Sequence, residues 1–374
     1  MQKQTNHLQQ KLSKRKKVGT YRSLQTADDK IDFWSNDYLG FARSKGLKKH
    51  IQSLTQNANY GATGSRLISG NPSLAEELEQ KIAQYHNAET ALIFNSGYDA
   101  NLGLFSCIAA KEDTIFYDDL VHASIHDGLK LSRAQTVAFH HNNLQDLEQK
   151  LAQKTTGNAF IAVESVYSMD GDIAPLNELV ILAEKYGTAL IVDEAHGTGI
   201  FGKNGGGLVD KLGLESRIFA RVHTYGKSMG AHGAAILGSP TLRNYLMNYA
   251  RSFIFTTALP SHSLLAISAG YDWLKKYPEL REKLRQNIDF FIENARPIFG
   301  GRLLKSETAI QGVLVPGNKH AKRVAKAAQN AGFAVKAIVF PTVAKGEERI
   351  RICLHSFNTE EEILGVIRAL DLKN

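Results

Sequence analysis

Between Thr90 and Leu237 the chain alternates short apolar runs with longer segments of helical period. The runs are 90–94, 114–117, 135–139, 159–163, 189–192, 218–222 and 234–237. Most are bounded by Gly-, Asn- or Asp-containing turns, and stretches such as Leu144–Gln153 and Leu176–Tyr186 between them keep one apolar face. Continuous apolar runs of this length read as strands buried on both faces, and the alternation predicts a mostly parallel seven-stranded sheet with helices on both sides. The last run follows its predecessor too closely for a helical crossover, so an antiparallel strand is expected there. Ser73 with Glu76, and Thr359 with Glu362, have the spacing of capping boxes.

Beyond about residue 260 the pattern changes. A helical period runs from Ser263 to Phe299, followed by strand-like 312–315 and 350–354 and helices over 320–331 and 359–370. The expected organisation is an arm over 1–35, a large α/β domain over 36–260 and a small α+β domain over 261–374. Seven cations of the net charge of +8 precede the first acid, Asp28, so the rest of the chain is close to neutral. A docking face for nucleic acid spreads its cations over the fold, so that class is set aside. No apolar run reaches the ~18 residues of a membrane span. Cys107 and Cys353 are isolated, without metal-ligand spacing, which agrees with a reducing cytoplasm and no metal.

The candidate chemistry follows strand ends. The run Ala189–Val192 stops at Asp193, with His196 three residues on; the run Ile218–Val222 stops at His223-Thr224, with Lys227 beyond. Ligands of open α/β sheets sit past the carboxyl ends of strands. A desolvated lysine there is a carbonyl-reactive nucleophile, and a carboxylate closing a buried strand needs a partner. Ser96-Gly97-Tyr98 opens a helix after the first run, a phosphate-binding arrangement. His122 and Ser168 follow two further runs. Each residue alone is equally a cap or a surface group; their placement at successive strand ends makes the site. Two other patterns overlap Lys227. Gly226-Lys227-Ser228 resembles the end of a phosphate loop, but Arg221 stands where its first glycine is required. Gly226 to Gly230 also fits an α/β-hydrolase elbow with Ser228 as nucleophile, His262 and His355 being candidate partners.

Taken together, N-D-Y-L-G, G-S-R, N-S-G-Y-x-A-N, H-A-S, S-M-D-G-D, D-E-A-H-G-T-G and T-Y-G-K-S resemble the α-oxoamine synthases from about Asn36 to the C-terminus. The resemblance implies a fold-type I enzyme using pyridoxal 5'-phosphate (PLP), a homodimer with shared sites that joins an amino acid to an acyl thioester with loss of CO2. It is nearest to the branch that uses L-alanine and a pimeloyl thioester, carried by CoA or an acyl carrier protein, in biotin biosynthesis. Sister enzymes use glycine or serine. By the same resemblance Lys227 would carry PLP, Asp193 would meet its pyridine nitrogen and His196 its phenolic oxygen. His122 would stack on the ring above Ala195. Ser96, Gly97, Tyr98, Ser168 and Thr224 would complete the cofactor site, with Thr257 donated by the other subunit. Asn36 and Arg351 would hold the substrate carboxylate; Arg22 and Thr342 would be outer substrate contacts, and His122 would also face substrate. The segment Ser228-Met229-Gly230-Ala231-His232-Gly233 departs from the family's usual Gly-Gly after the lysine, which leaves Met229 and His232 as candidates for shaping the acyl channel.

Overall fold

The computed structural model describes residues 2–24, 26, 29–153 and 156–371. Its strands begin with β1 (Ile31–Asp32), β2 (Thr90–Phe94), β3 (Thr114–Asp118), β4 (Gln135–Phe139), β5 (Ala159–Glu164) and β6 (Ala189–Asp193). They continue with β7 (Ala220–Thr224), β8 (Ala234–Gly238), β9 (Ile310–Leu314), β10 (Phe333–Ala334), β11 (Lys336–Ile338) and β12 (Arg349–Cys353). The chain divides into two units: a larger one of Leu39–Tyr167 and Ile173–Arg281, and a smaller one of the chain up to Tyr38, Ser168–Asp172 and the chain from Glu282 onward.

The larger unit is built on a seven-stranded sheet in the order β2-β8-β7-β6-β5-β3-β4. The pairs from β7 to β4 are parallel, whereas β8 is antiparallel to both of its neighbours, as its short connection requires. All seven apolar runs are strands; helices cover both faces of the inner ones and leave no polar face to alternate, while β4, at the end of the sheet, is largely exposed. Leu92, Ile115, Ile161 and Val192 lie at the centre of that core. The strand expected over 218–222 starts at Ala220 and continues to Thr224, carrying His223 and Thr224 into the sheet.

Two local expectations are corrected. Pro72, not Ser73, takes the N-cap of the helix Ser73–Tyr85, with no side-chain cap. Glu76 instead accepts from Asn71 at 2.9 Å and faces Arg243 at 3.3 Å, charge-assisted contacts that outcompete a capping box. The box at Thr359 and Glu362 does form. The helical pattern over 263–299 is two helices, Ser261–Lys276 and Glu279–Phe299. Pro278 separates them because it lacks the donor and pushes Tyr277 out of helical geometry. The first of these helices belongs to the larger unit, so that unit ends at Arg281 instead of residue 260. Lys81 fastens it there, donating to the Ser268 carbonyl at 3.0 Å and to Asp272 at 2.7 Å.

The smaller unit carries an antiparallel sheet β11-β12-β9 and a parallel pair, β1 with β10. The residues before Tyr38 join it instead of standing apart; Lys322 donates to the carbonyl of Tyr21 at 3.4 Å. Ser168–Asp172 also belongs to it. Gly171 has φ +76, and a Cβ there would collide with the Ile310 carbonyl oxygen, so this position of S-M-D-G-D accepts only glycine. Among the described residues no helix is long and apolar enough to cross a membrane.

Candidate active site

In the larger unit Phe94, Asp118, Glu164, Asp193 and Thr224 end β2, β3, β5, β6 and β7 at one sheet edge. Glu164 is the register partner of Asp193, and side chains alternate along strands, so both carboxyls occupy one face. Asp193 is 5% exposed. Its Oδ1 accepts from the Ala195 amide at 2.8 Å and its Oδ2 from Asn101 Nδ2 at 2.7 Å. A carboxylate so placed is oriented on both oxygens and still has a lone pair on each for a further donor.

Asn101 lies on the helix Gly97–Cys107, which Ser96 caps by accepting from the Asp99 amide at 3.1 Å. A Cβ on Gly97 would stand 3.3 Å from both Cβ and Oγ1 of Thr224, so glycine permits this helix start to lie against the end of β7. Unpaired amides of the first helical turn therefore sit beside the Thr224 hydroxyl, an arrangement suited to phosphate. Tyr98 points elsewhere: it is 43% exposed and donates to Asp127 at 2.6 Å.

His122 caps the helix Ala123–Leu131, its Nδ1 accepting from the Ser124 amide at 3.2 Å and lying 2.7 Å from Ser124 Oγ. Burial pushes its pKa down; Asp193 opposes that shift and Lys227 reinforces it, so the imidazole is neutral at pH 7. Glu164 is buried, accepts from the His122 amide, and has a pKa raised well above 4.5 by burial and then by Asp193. An acid neutral when folded and ionised when unfolded loses stability as pH rises above 4.5. Glu164→Gln should therefore be more stable than the parent in PLP-free protein, the margin widening from pH 5 to pH 8. Urea unfolding at those two pH values measures it, and a margin independent of pH would contradict a protonated Glu164.

Lys227 sits in the link between β7 and β8, where the sheet holds both ends. Tyr225 N donates to Gly233 O at 2.9 Å, Ala231 N to Tyr225 O at 2.9 Å and Gly230 N to Lys227 O at 2.9 Å. Gly230 has φ +58, and a Cβ there would collide with the Ala42 amide, so the link packs directly on backbone. Lys227 is half-buried and acts electrostatically on both His122 and Glu164. His196 is 6% exposed. Ser228 is 1% exposed, and its hydroxyl donates to the Thr198 carbonyl. It is not an exposed nucleophile, which removes the hydrolase alternative. Met229 is equally buried and packs against Gly270, so it is a core residue.

The opposite face of β7 carries a buried polar cluster that the sequence reading did not identify. His86 Nε2 meets the Tyr271 hydroxyl at 2.8 Å, His223 Nδ1 meets Thr198 Oγ1 at 2.9 Å, and the two rings are 4.1 Å apart. Burial and then Arg221 push His86 down to about 3; burial and then His86 push His223 well below 6.5. The unfolded chain thus binds protons that the folded chain refuses. Stability should fall as pH drops below about 6.5, by up to about 1.4 kcal/mol per pH unit for each histidine. Urea unfolding at pH 7.5 and 5.5 checks this, and equal stabilities would refute neutral buried imidazoles.

Of the other residues singled out in the sequence, Thr257 is exposed and its carbonyl accepts from Asn95 at 2.8 Å. In the smaller unit Arg351 donates through Nε to the Ser168 carbonyl at 2.7 Å and through Nη2 to Asn36 at 3.0 Å. Arg22 and Thr342 line one groove of about 680 Å³ in that unit, with Arg15, Lys322, Lys326 and Lys336. Sequence reasoning did not single out Asn101, Ser124 or Glu164. Asn101 and Ser124 stand inside quoted motifs, but nothing in their spacing shows which groups they meet. Glu164 directly follows an apolar run, as Asp193 does.

Residues 28–370 match the family model for aminotransferases of class I and II. The chain is 42% identical to the 8-amino-7-oxononanoate synthase of Emericella nidulans, over 91% of this chain and 88% of that one. It superposes on a lysine-to-alanine variant of serine palmitoyltransferase from S. paucimobilis with a bound PLP–myriocin aldimine, with a TM-score of 0.91, 27% identity, and 99% and 97% of the two chains covered. It also superposes on 8-amino-7-oxononanoate synthase from Francisella tularensis, with a TM-score of 0.79, 30% identity, and 92% and 97% covered. The groups present fit PLP: the oriented Asp193 as acceptor for a pyridinium N–H, the Gly97 helix start as donor to phosphate, and a half-buried amine at Lys227. The chain therefore belongs to the α-oxoamine synthases, PLP-dependent acyltransferases of the fold-type I class.

Proposed function

We propose that this enzyme condenses L-alanine with a pimeloyl thioester, releasing thiol and CO2 to form 8-amino-7-oxononanoate for biotin biosynthesis. The observation that carries the reading is the doubly oriented Asp193 on the same sheet edge as Lys227 and His122, in a chain 42% identical to a curated synthase of that name. PLP, when bound, supplies an electron-poor ring that stabilises negative charge developing at the amino acid's Cα. Asp193 would accept from the ring nitrogen and so keep it protonated, and His196 would donate to the phenolic oxygen. His122 would cover the ring on one side and Ala195 the other, and Ser96, Gly97 and Thr224 would complete the cofactor contacts within the larger unit; Tyr98, turned to Asp127, is left out of them. Lys227 first holds the cofactor, then takes the Cα proton as general base and later returns one to the product carbon.

Asn36 and Arg351 are assigned to the substrate carboxylate. Arg22 and Thr342 are assigned to the acyl donor. Their groove is lined by five cations (Arg15, Arg22, Lys322, Lys326 and Lys336) and by no carboxylate among the described residues, which suits an anionic donor. Tyr60, Ile68 and Phe255 are 95%, 85% and 70% exposed on the segments that flank Thr257, and a second copy covering them would bring Thr257 to its phosphate. We assign the enzyme to the cytoplasm on its cysteine usage, two thiols far apart in the sequence.

A serine-using reading has specific support in the palmitoyltransferase likeness. Thiol release from pimeloyl-CoA and palmitoyl-CoA with alanine, glycine and serine decides between them. Fastest release with alanine and pimeloyl-CoA is expected, and a preference for serine with the long chain would overturn the proposal.

A further inference from the structure

Asp193 and His122, assigned above to the ring nitrogen and the ring face, are joined by a chain of hydrogen bonds whose directions are all determined. Asn101 Nδ2 donates to Asp193 Oδ2 at 2.7 Å and to Ser124 Oγ at 3.0 Å. Asn101 is 2% exposed and Ser124 fully buried. Asn101 Oδ1 has no partner among the described residues. Turning the amide over would set that oxygen against the carboxylate of Asp193 and take the donor away from Oδ2, so the observed orientation is the only favourable one. Ser124 Oγ, already accepting from the amide, has its proton free for His122 Nδ1 at 2.7 Å. Nδ1 also faces the Ser124 backbone donor at 3.2 Å, so it is an acceptor and cannot carry the ring proton.

We propose that Asn101 is a positioning residue whose two amide protons lock Asp193 and His122 to one another and, through Ser124, fix the ring proton of His122 on Nε2. The inference rests on the ring placement proposed above and goes beyond it. One amide serves an acceptor-only acid on β6 and a hydroxyl on the neighbouring helix, so neither group can swing without breaking the other's bond. The result is an aspartate held as an acceptor and an imidazole that presents Nε2–H as a donor. Asp193, Lys227, His126 and Asp127 act on the imidazole, and Glu164 accepts from the His122 backbone amide. None of these groups supplies the link that Asn101 makes.

The test uses PLP-loaded enzyme. Asn101→Leu keeps the volume and removes both donors. It should lower kcat roughly 10- to 100-fold, the loss expected for a hydrogen bond to a charged group. It should also shift the pH midpoint of the bound cofactor's visible absorbance, a readout independent of the acyl donor. Ser124→Ala keeps the bond to Asp193 and the backbone donor, so it should leave that midpoint in place while lowering kcat/KM for the amino acid. The two substitutions together should cost less than the product of their separate effects. A parental midpoint and parental kcat in Asn101→Leu would overturn the proposal, as would strictly multiplicative effects. Should Asn101→Leu give no folded protein, Asn101→Asp puts an acceptor where the donor stood, and an unmoved midpoint there overturns the proposal equally. Lys227→Ala in the same assay separates the two failures. If it keeps a borohydride-fixable chromophore, the ring placement is wrong; if only the Asn101 variants behave like the parent, this inference alone falls.

Discussion

Replacing Lys227 with alanine should reduce turnover by at least about 10⁴-fold, because one side chain supplies both the covalent hold on PLP and the base that moves the Cα proton. Neither neighbouring group can take over. His122 has its Nδ1 committed to Ser124, and Glu164 is buried with a pKa raised by burial, then by Asp193. The variant should still bind PLP noncovalently through the Gly97 helix start and Asp193. Thiol release with alanine and pimeloyl-CoA gives the first quantity; cofactor absorbance that survives desalting of the native variant but is lost on denaturation after borohydride gives the second. Turnover within tenfold of the parent would refute Lys227 as the base.

Asp193→Asn should cost about 3–5 kcal/mol, the penalty for removing one partner of a buried charge pair, or roughly 10²–10⁴ in kcat. The structure adds a hydrogen-bonding reason for a large effect. Both oxygens of Asp193 accept, one from Ala195 and one from Asn101. An asparagine offers a single acceptor, so its NH2 group must face one of those donors. The expected signature is a fall in kcat at full PLP occupancy together with a lower unfolding midpoint. Parental kcat in the Asp193→Asn variant would contradict the role given to the carboxylate.

Much of this architecture was legible because strands buried on both faces leave continuous apolar runs. The polar residue closing each run then marks the sheet edge, as Asp193 and Thr224 do. Buried polar links were harder to read. Asn101 and Ser124 are ordinary helix residues until the fold sets one beside the other, and no spacing announces which carboxylate an amide will meet. The failed cap at Ser73 has a similar origin: Glu76 has the right offset, but Arg243, far along the chain, competes for it. Pro278 was visible in the sequence, and its power to divide the helix outweighed an apolar period that ran straight through it. The groove holding Arg22 and Thr342 depends on the arm lying along the helix Asn318–Asn330, which local patterning does not encode.

The reversed strand β8 also sets how the site fails under stress. The segment bearing Lys227 leaves from Thr224 and returns at Ala234, and these two residues are register partners. The amine therefore hangs from adjacent rungs of one ladder, and its reach is governed by strand pairing more than by the looseness of a loop. Partial opening at β8 would withdraw Lys227 and Thr224 together while the β5–β6 pair kept Asp193 in place. Amide exchange of Tyr225 and Ala231 should accordingly track loss of the cofactor linkage during mild denaturation, ahead of exchange within β6.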